Sequence, residues 1–410
     1  MVVQDSRDMI DPRKGVLLEP FHHQVGGHMS MMKYNEHTVC KPLVSQEQCF
    51  YESLPKEMKC FTPQYKGVVS VFLRKDSRGR LGLIASPQAE GLTSFDMGTE
   101  SSLSIWSKLK WEKPGCGEGS LTRWKKLKKA TINESCSGNA LLRAEVHFQT
   151  EVSCYMEGST RTSSERISYN PWGLQCHKEQ LTRMSSECHE NTLHRFLLLE
   201  NVASKFKYPC ILDLKMGTRQ HGDDATEEKK ARHMKKCAQS TSSSLGVRIC
   251  GMQVYHADKG HFLCKDKYYG RKLSADGFKQ ALYHFLHNGK HLRKDLVEPI
   301  LFQLRALKSV IEGQSSYRFY SSSLLIVYDG QEQVDHKVTS DHQGCIQKNG
   351  CTASYIVNSL PKVDVRMIDF AHTTYKDLRG NQTSYDGPDQ GYIFGLDNLI
   401  QILQNIQAGE

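Results

Sequence analysis

Residues 209 to 217 read PCILDLKMG, and no other stretch of the chain limits the possible folds as tightly. It is apolar enough to be a buried strand, yet it carries Asp213 and Lys215 two positions apart. Strand side chains alternate between faces, so Cys210, Leu212 and Leu214 should enter a core while Ile211, Asp213 and Lys215 share the opposite face. Opposite charges side by side on an otherwise apolar strand mark a candidate site. The plainer reading of these two residues alone is a surface salt bridge on an edge strand.

A chain of 410 residues is long enough for two lobes or for one domain with insertions. Its net charge of +9 suggests an anionic partner, with nucleic acid, an acidic membrane surface and a phosphorylated small molecule all eligible. No apolar run approaches the length of a membrane span, and the N-terminus lacks the basic-then-apolar order of a signal peptide. The fourteen cysteines are scattered without a C-x-x-C pair, so reduced thiols in the cytosol or nucleus are expected and a structural zinc site is not.

Between about 76 and 165 the sequence is rich in Gly, Ser, Lys and Glu and reads as an insertion; residues 330 to 360 read as a polar loop. The basic run within 108 to 129 lacks regular aromatic interleaving, which makes nucleic-acid binding the weaker reading. Two lobes are expected: a strand-rich one over 1–201 and a larger mixed one over 202–410. In HGDDATEEKKARHMKKCAQS, Asp224 with Glu227 three residues on suggests a helix cap and its box partner. Lys229, Arg232, His233 and Lys236 then fall on one helical face, with Lys230 beside them, and supply donors about a turn apart for phosphate. VRICGMQVYH and HFLCKDKYYG look like paired strands.

The order of the remaining parts resembles a two-lobed kinase: the glycine turn QVGGHM, Lys41 in a strand, Glu47 on the next helix, an apolar strand into the lobe junction, then MIDF with Asp369. No H-R-D-x-x-x-x-N or A-P-E segment is present, which disfavours a protein kinase. PCILDLKMG matches P-x-x-x-D-x-K-x-G, the pattern of the inositol polyphosphate kinases, and SSLLIVYDG and MIDFAH resemble that family's later motifs in the right order. NPWGLQCHKEQLTRM and LDLKMGTRQHGDDA resemble its inositol hexakisphosphate kinase branch in particular.

The resemblance implies an α+β, two-lobed, kinase-like fold, related to protein kinases and ATP-grasp enzymes, with antiparallel sheets and helices. It implies ATP and Mg2+ as cofactors and transfer of the γ-phosphoryl group to inositol hexakisphosphate, at the 5-position, with inositol pentakisphosphate as a further substrate. By position, Lys41 would hold the nucleotide phosphates with Glu47 bracing it, and Glu200, Asn201 and Val202 would face adenine. Asp213 would take the ribose, Lys215 would act between acceptor and γ-phosphate, and Asp369 would hold the metal. Pro209, Gly217, Lys229, Lys230, Arg232, His233, Lys236 and His372 would bind the substrate. Two other readings stay open: a multikinase acting on inositol hydroxyls, and a non-catalytic inositol-phosphate-binding adaptor.

The chemistry agrees with these residues. A phosphate monoester has its second pKa at about 6, so an acceptor oxygen is already ionised at neutral pH and needs no general base. Six phosphates bring roughly −9 to −12 of charge. Unit charges ~4 Å apart repel by about 4 kcal/mol at an intermediate dielectric. Cations and alignment must therefore supply the catalysis.

Overall fold

The computed structural model describes residues 15–27, 29–75, 81–86, 170–187, 192–331, 362–375 and 385–409. Six strands close a barrel: β1 (Val16–Pro20), β2 (Met32–Asn35), β3 (Thr38–Pro42), β4 (Tyr65–Lys75), β5 (Leu81–Ser86) and β6 (His194–Glu200), in the order β1-β2-β3-β6-β4-β5. Closure removes the exposed edges that a six-stranded sheet would otherwise present. Leu18, Met32, Cys40, Val71, Leu83 and Phe196 fill one buried cluster, joined by Met184 from helix α2 (Pro171–Glu187). Each such side chain contributes about 1.5–3 kcal/mol on burial. Helix α1 (Ser45–Glu52) follows β3 and turns Glu47, Phe50 and Tyr51 inward.

The second sheet is built from β7 (Pro209–Met216), β8 (Val247–His256), β9 (His261–Lys265), β11 (Ser323–Asp329) and β12 (Val363–Ile368), in the order β12-β11-β7-β8-β9. Its pairings are all antiparallel. On one face Cys210, Leu212 and Leu214 join a core with helices α6 (Ala275–Phe285), α7 (Val297–Glu312) and α8 (Gln390–Ala408). Ile211, from the other face, packs with Val25, Val202 and Val327. The alternation expected of β7 holds. The edge-strand reading does not, because β7 lies in the middle of the sheet, paired on both sides. A short ladder of β10 (Arg318–Tyr320) with β13 (His372–Thr374) completes the strands.

This is the α+β class with antiparallel sheets that the motifs implied. Three local expectations are corrected. Leu81–Ser86, inside the stretch read as an insertion, forms a barrel strand paired to both β1 and β4. The rest of the insertion and most of the 330–360 loop lie outside the described residues. KYYGR is not strand: β9 ends at Lys265, and the Asp266 side chain accepts from the N–H groups of Tyr268 and Tyr269 to start helix α5 (Lys267–Arg271). Helix α3 (Glu227–Ala238), which the short α4 (Thr241–Leu245) follows, is capped by Thr226, not Asp224: the Thr226 side chain accepts from Lys229 N–H. Asp224 lies two residues too early, and Lys229 at the third helical position leaves no box partner.

Candidate functional site

Lys41 and Lys215 enter one cleft from different sheets and meet at Asp369. Lys41, nearly buried on β3, donates to Glu47 Oε1 at 3.0 Å and to Asp369 Oδ1 at 2.9 Å. Burial works against its charge, but the Asp369 and Glu47 carboxylates outweigh it and hold the Lys41 pKa above the ordinary lysine value. Glu47 also accepts from Phe370 N–H at 3.2 Å, fixing the chain just past Asp369. Lys215 Nζ stands 3.9 Å from Asp369 Oδ2 and donates to the Ser321 carbonyl at 2.5 Å.

Asp369 and Ser321 have positive φ, 65° and 58°, a region that costs side-chain-bearing residues energy and concentrates at functional sites. The turn after β12 thereby aims the Asp369 carboxylate between the two lysines. Asp213 is buried, and its Oδ1 has no hydrogen-bond partner among the described residues. Burial raises its carboxyl pKa to about 6, against the opposing pull of Lys215. The glycine turn lies directly on it: a Cβ at Gly26 would fall 1.9 Å from Asp213 Oδ2. Gly251 on β8 makes the same room, since a Cβ there would meet the Val25 carbonyl oxygen at 1.9 Å.

The basic side of the cleft is wider than the sequence indicated. Lys229, His233 and Lys236 do share the inward, partly buried face of α3, whereas Arg232 is exposed. Lys230 sits at the margin, 3.6 Å from Glu227. Burial, then the charges of Lys236 and Lys229, push His233 down to about 4, so it is a neutral donor or acceptor at pH 7 rather than a cation. Three cations escaped the sequence reading. Arg248 is the cross-strand partner of Lys215 on β8. Lys267 and Arg271 project from α5, and together with Arg232 and Arg248 they lower the Lys236 pKa, after desolvation as the larger cause. Pairing of β7 with β8 could have found Arg248; the basic, aromatic KYYGRK run hinted at the other two.

Other expected residues divide. Gly217, φ 89°, donates to the Gly246 carbonyl at 2.7 Å and turns the chain out of β7, a backbone role. His372 lies on β13 opposite Tyr320 and beside Gly222, next to the loop that enters α3. Pro209 is a correction: it begins β7, six residues and roughly 20 Å of strand from Lys215. Its carbonyl accepts from Gln253 there, which makes it part of the framework. At the junction, Glu200 and Asn201 spend their N–H groups on the Gln64 and His37 carbonyls. The Asn201 side chain bonds Glu36 O and Ala203 N–H, and the Glu200 carboxylate lies 3.5 Å from Arg366. Neither N–H is available to a base, which leaves Val202 as the residue of the three whose N–H has no partner among the described residues.

The model of the family described as "Inositol polyphosphate kinase" matches residues 196–404, just over half of the chain and all of the cleft's second sheet. The chain belongs to the inositol polyphosphate kinase family. Inositol hexakisphosphate kinase 3 from Homo sapiens is 61% identical, with 100% of both chains covered. Inositol hexakisphosphate kinase 1 from Mus musculus is 53% identical over 96% of this chain and 94% of its own. Inositol hexakisphosphate kinase 2 from Homo sapiens is 45% identical over 98% of each. Among solved structures, an inositol phosphate multikinase from S. cerevisiae in complex with ADP and Mn2+ aligns with a TM-score of 0.41 and 26% identity, over 52% of this chain and 84% of that one.

Proposed function

We propose that the chain is an ATP-dependent inositol hexakisphosphate kinase, transferring the γ-phosphoryl group to a phosphate of inositol hexakisphosphate, with the 5-phosphate as acceptor. One observation carries the reading: Lys41 and Lys215 converge on Asp369 at 2.9 and 3.9 Å, and a continuous set of cations borders Lys215 through Arg248, Lys236, Lys267 and Arg271. Full-length identity of 61% to a protein named for this activity supports the same conclusion. Work in the cytosol and nucleus fits the free thiols of the described cysteines.

The residues present fit a magnesium ion. Asp369 offers a carboxylate partly open to the cleft, and Glu47 Oε2 is buried without a hydrogen-bond partner among the described residues. One or two carboxylates plus phosphate oxygens and water suffice for this hard cation. When bound, it neutralises charge on the β- and γ-phosphates. Lys41 holds the donor phosphates, and Asp213, with Oδ1 unpartnered among the described residues and Oδ2 against the glycine turn, takes the ribose. Val202 N–H faces the base.

On the acceptor side, Lys229, Lys236, Lys267 and Arg271 hold the ring phosphates, and neutral His233 bonds without adding charge. His372 bonds from β13. Lys215 bridges the acceptor oxygen and the γ-phosphate. The acceptor oxygen forms a new P–O bond as the bond to the β–γ bridging oxygen breaks, leaving ADP and a phosphoanhydride. No protein group has to take a proton, because the attacking oxygen is already ionised.

The test is incubation with magnesium, ATP and inositol hexakisphosphate, followed by separation of products by charge. A product more anionic than the substrate, with stoichiometric ADP, is expected. Unchanged inositol hexakisphosphate with saturable binding would make the protein an adaptor. Transfer only to inositol phosphates with free hydroxyls would make it a multikinase.

A further inference from the structure

The segment NPWG sits at the start of α2, far in sequence from every residue assigned above, yet its tryptophan touches both halves of the cleft. The Trp172 indole N–H donates to the Gly26 carbonyl at 3.2 Å. Gly26 is the residue pressed against the Asp213 carboxylate. Over the face of the same ring stands the Lys267 ammonium, 4.7 Å from the centroid. Lys267 belongs to the cation set around Lys236.

The backbone that carries the ring is fixed as well. The Asn170 side-chain oxygen accepts from the Trp172 backbone N–H at 3.0 Å, and its amide donates to Gln253 Oε1 at 3.3 Å. Gly173 lets the helix start against the chain leading into the glycine turn, since a Cβ there would lie 3.0 Å from Phe21 O and 3.6 Å from Gln24 O.

We propose that Trp172 is a positioning residue with two separable roles: its ring face fixes Lys267 for the polyphosphate acceptor, and its ring N–H fixes Gly26 beside the nucleotide's carboxylate, Asp213. The assignment rests on the kinase reading above and adds to it a residue that couples the two substrate sites. A cation over an indole face is held by the ring quadrupole whether or not ligand is bound, so Lys267 is pre-placed rather than swinging in solvent. Lysine otherwise loses much rotamer freedom when it engages a ligand.

Two substitutions separate the roles. Trp172→Phe keeps an aromatic face and loses the donor; Trp172→Leu loses both. With the full chain and each substrate varied in turn, Trp172→Phe should raise KM for ATP about threefold to tenfold, the worth of one hydrogen bond, and leave KM for inositol hexakisphosphate within about twofold. Trp172→Leu should raise both, the acceptor KM by about threefold to thirtyfold. Lys267→Met should raise the acceptor KM alone, and should add little in the Trp172→Leu background, as expected of a coupled pair.

Equal changes in both KM values for Trp172→Phe would reduce Trp172 to a structural residue and overturn the proposal. So would full additivity of Lys267→Met with Trp172→Leu. If Trp172→Leu does not fold, the Trp172→Phe split and a Trp172→Phe/Lys267→Met pair decide the matter. If the wild-type chain transfers no phosphate, the kinase reading fails, and the same split is read from calorimetric Kd values for ADP and inositol hexakisphosphate.

Discussion

Lys215 and Asp213 occupy one face of one strand, two residues apart, in different surroundings: Lys215 approaches Asp369, and Asp213 lies against Gly26. Lys215→Ala should lower kcat by about 10²–10³, the usual loss for one preorganised charge-stabilising donor, with the melting temperature nearly unchanged. Wild-type turnover by that variant would remove Lys215 from the reaction. Asp213 carries a pH signature. Its folded pKa is about 6 against 3.8 for the free group, so the folded state holds the proton more tightly. Its stabilising contribution is therefore complete below about pH 4 and is lost as pH rises through 6, by up to about 3 kcal/mol. Urea midpoints from pH 4 to 7 should fall for the wild type relative to Asp213→Asn, then run parallel above pH 7. Identical slopes would contradict the burial argument. The alternation of β7 was legible from nine letters. The close cover over the Asp213 carboxylate was not, because it depends on Gly26 and Gly251 bringing a distant turn onto the strand.

At the scale of elements, α3 shows how a pattern can be right while its boundary is wrong. Spacing places Lys229, Arg232, His233 and Lys236 on one face; Lys229, His233 and Lys236 are partly buried, whereas Arg232 is exposed. The cap was misassigned because Asp224 and Thr226 are both good caps, and only tertiary docking of the loop chooses between them. Lys236→Ala should raise KM for inositol hexakisphosphate severalfold, with ATP unaffected. Lys235→Ala, exposed one position earlier, should leave both constants unchanged. Equal effects of the two would mean that net charge, not the face, matters. Thr226→Ala should cost about 1 kcal/mol in denaturant unfolding, whereas Asp224→Ala should cost less. β5 was missed for a related reason: LGLIAS is short, flanked by polar sequence, and gains its burial only when β1 and β4 close around it.

Across the whole molecule, the barrel supplies Lys41 and the glycine turn while the second sheet supplies Asp213, Lys215 and Asp369. The Lys41–Asp369 contact joins them across 328 positions of sequence. A nucleotide bridging the two should raise the melting temperature, by the equivalent of about 2.7 kcal/mol at 100 times its Kd. Asp369→Asn should remove the part of that rise that depends on magnesium.

The order of motifs revealed this two-sided assembly from sequence, because each motif belongs to one wall. The lateral extent of the cationic wall was hidden, since Arg248, Lys267 and Arg271 join it only through strand pairing and the turn at Asp266. Reaction by an already ionised oxygen, surrounded by fixed positive charge, is tested most directly by kcat at saturating ATP and inositol hexakisphosphate between pH 7 and 9. A flat profile is predicted. A profile in which kcat climbs tenfold per pH unit toward a plateau above 8 would reveal a required general base and contradict the account.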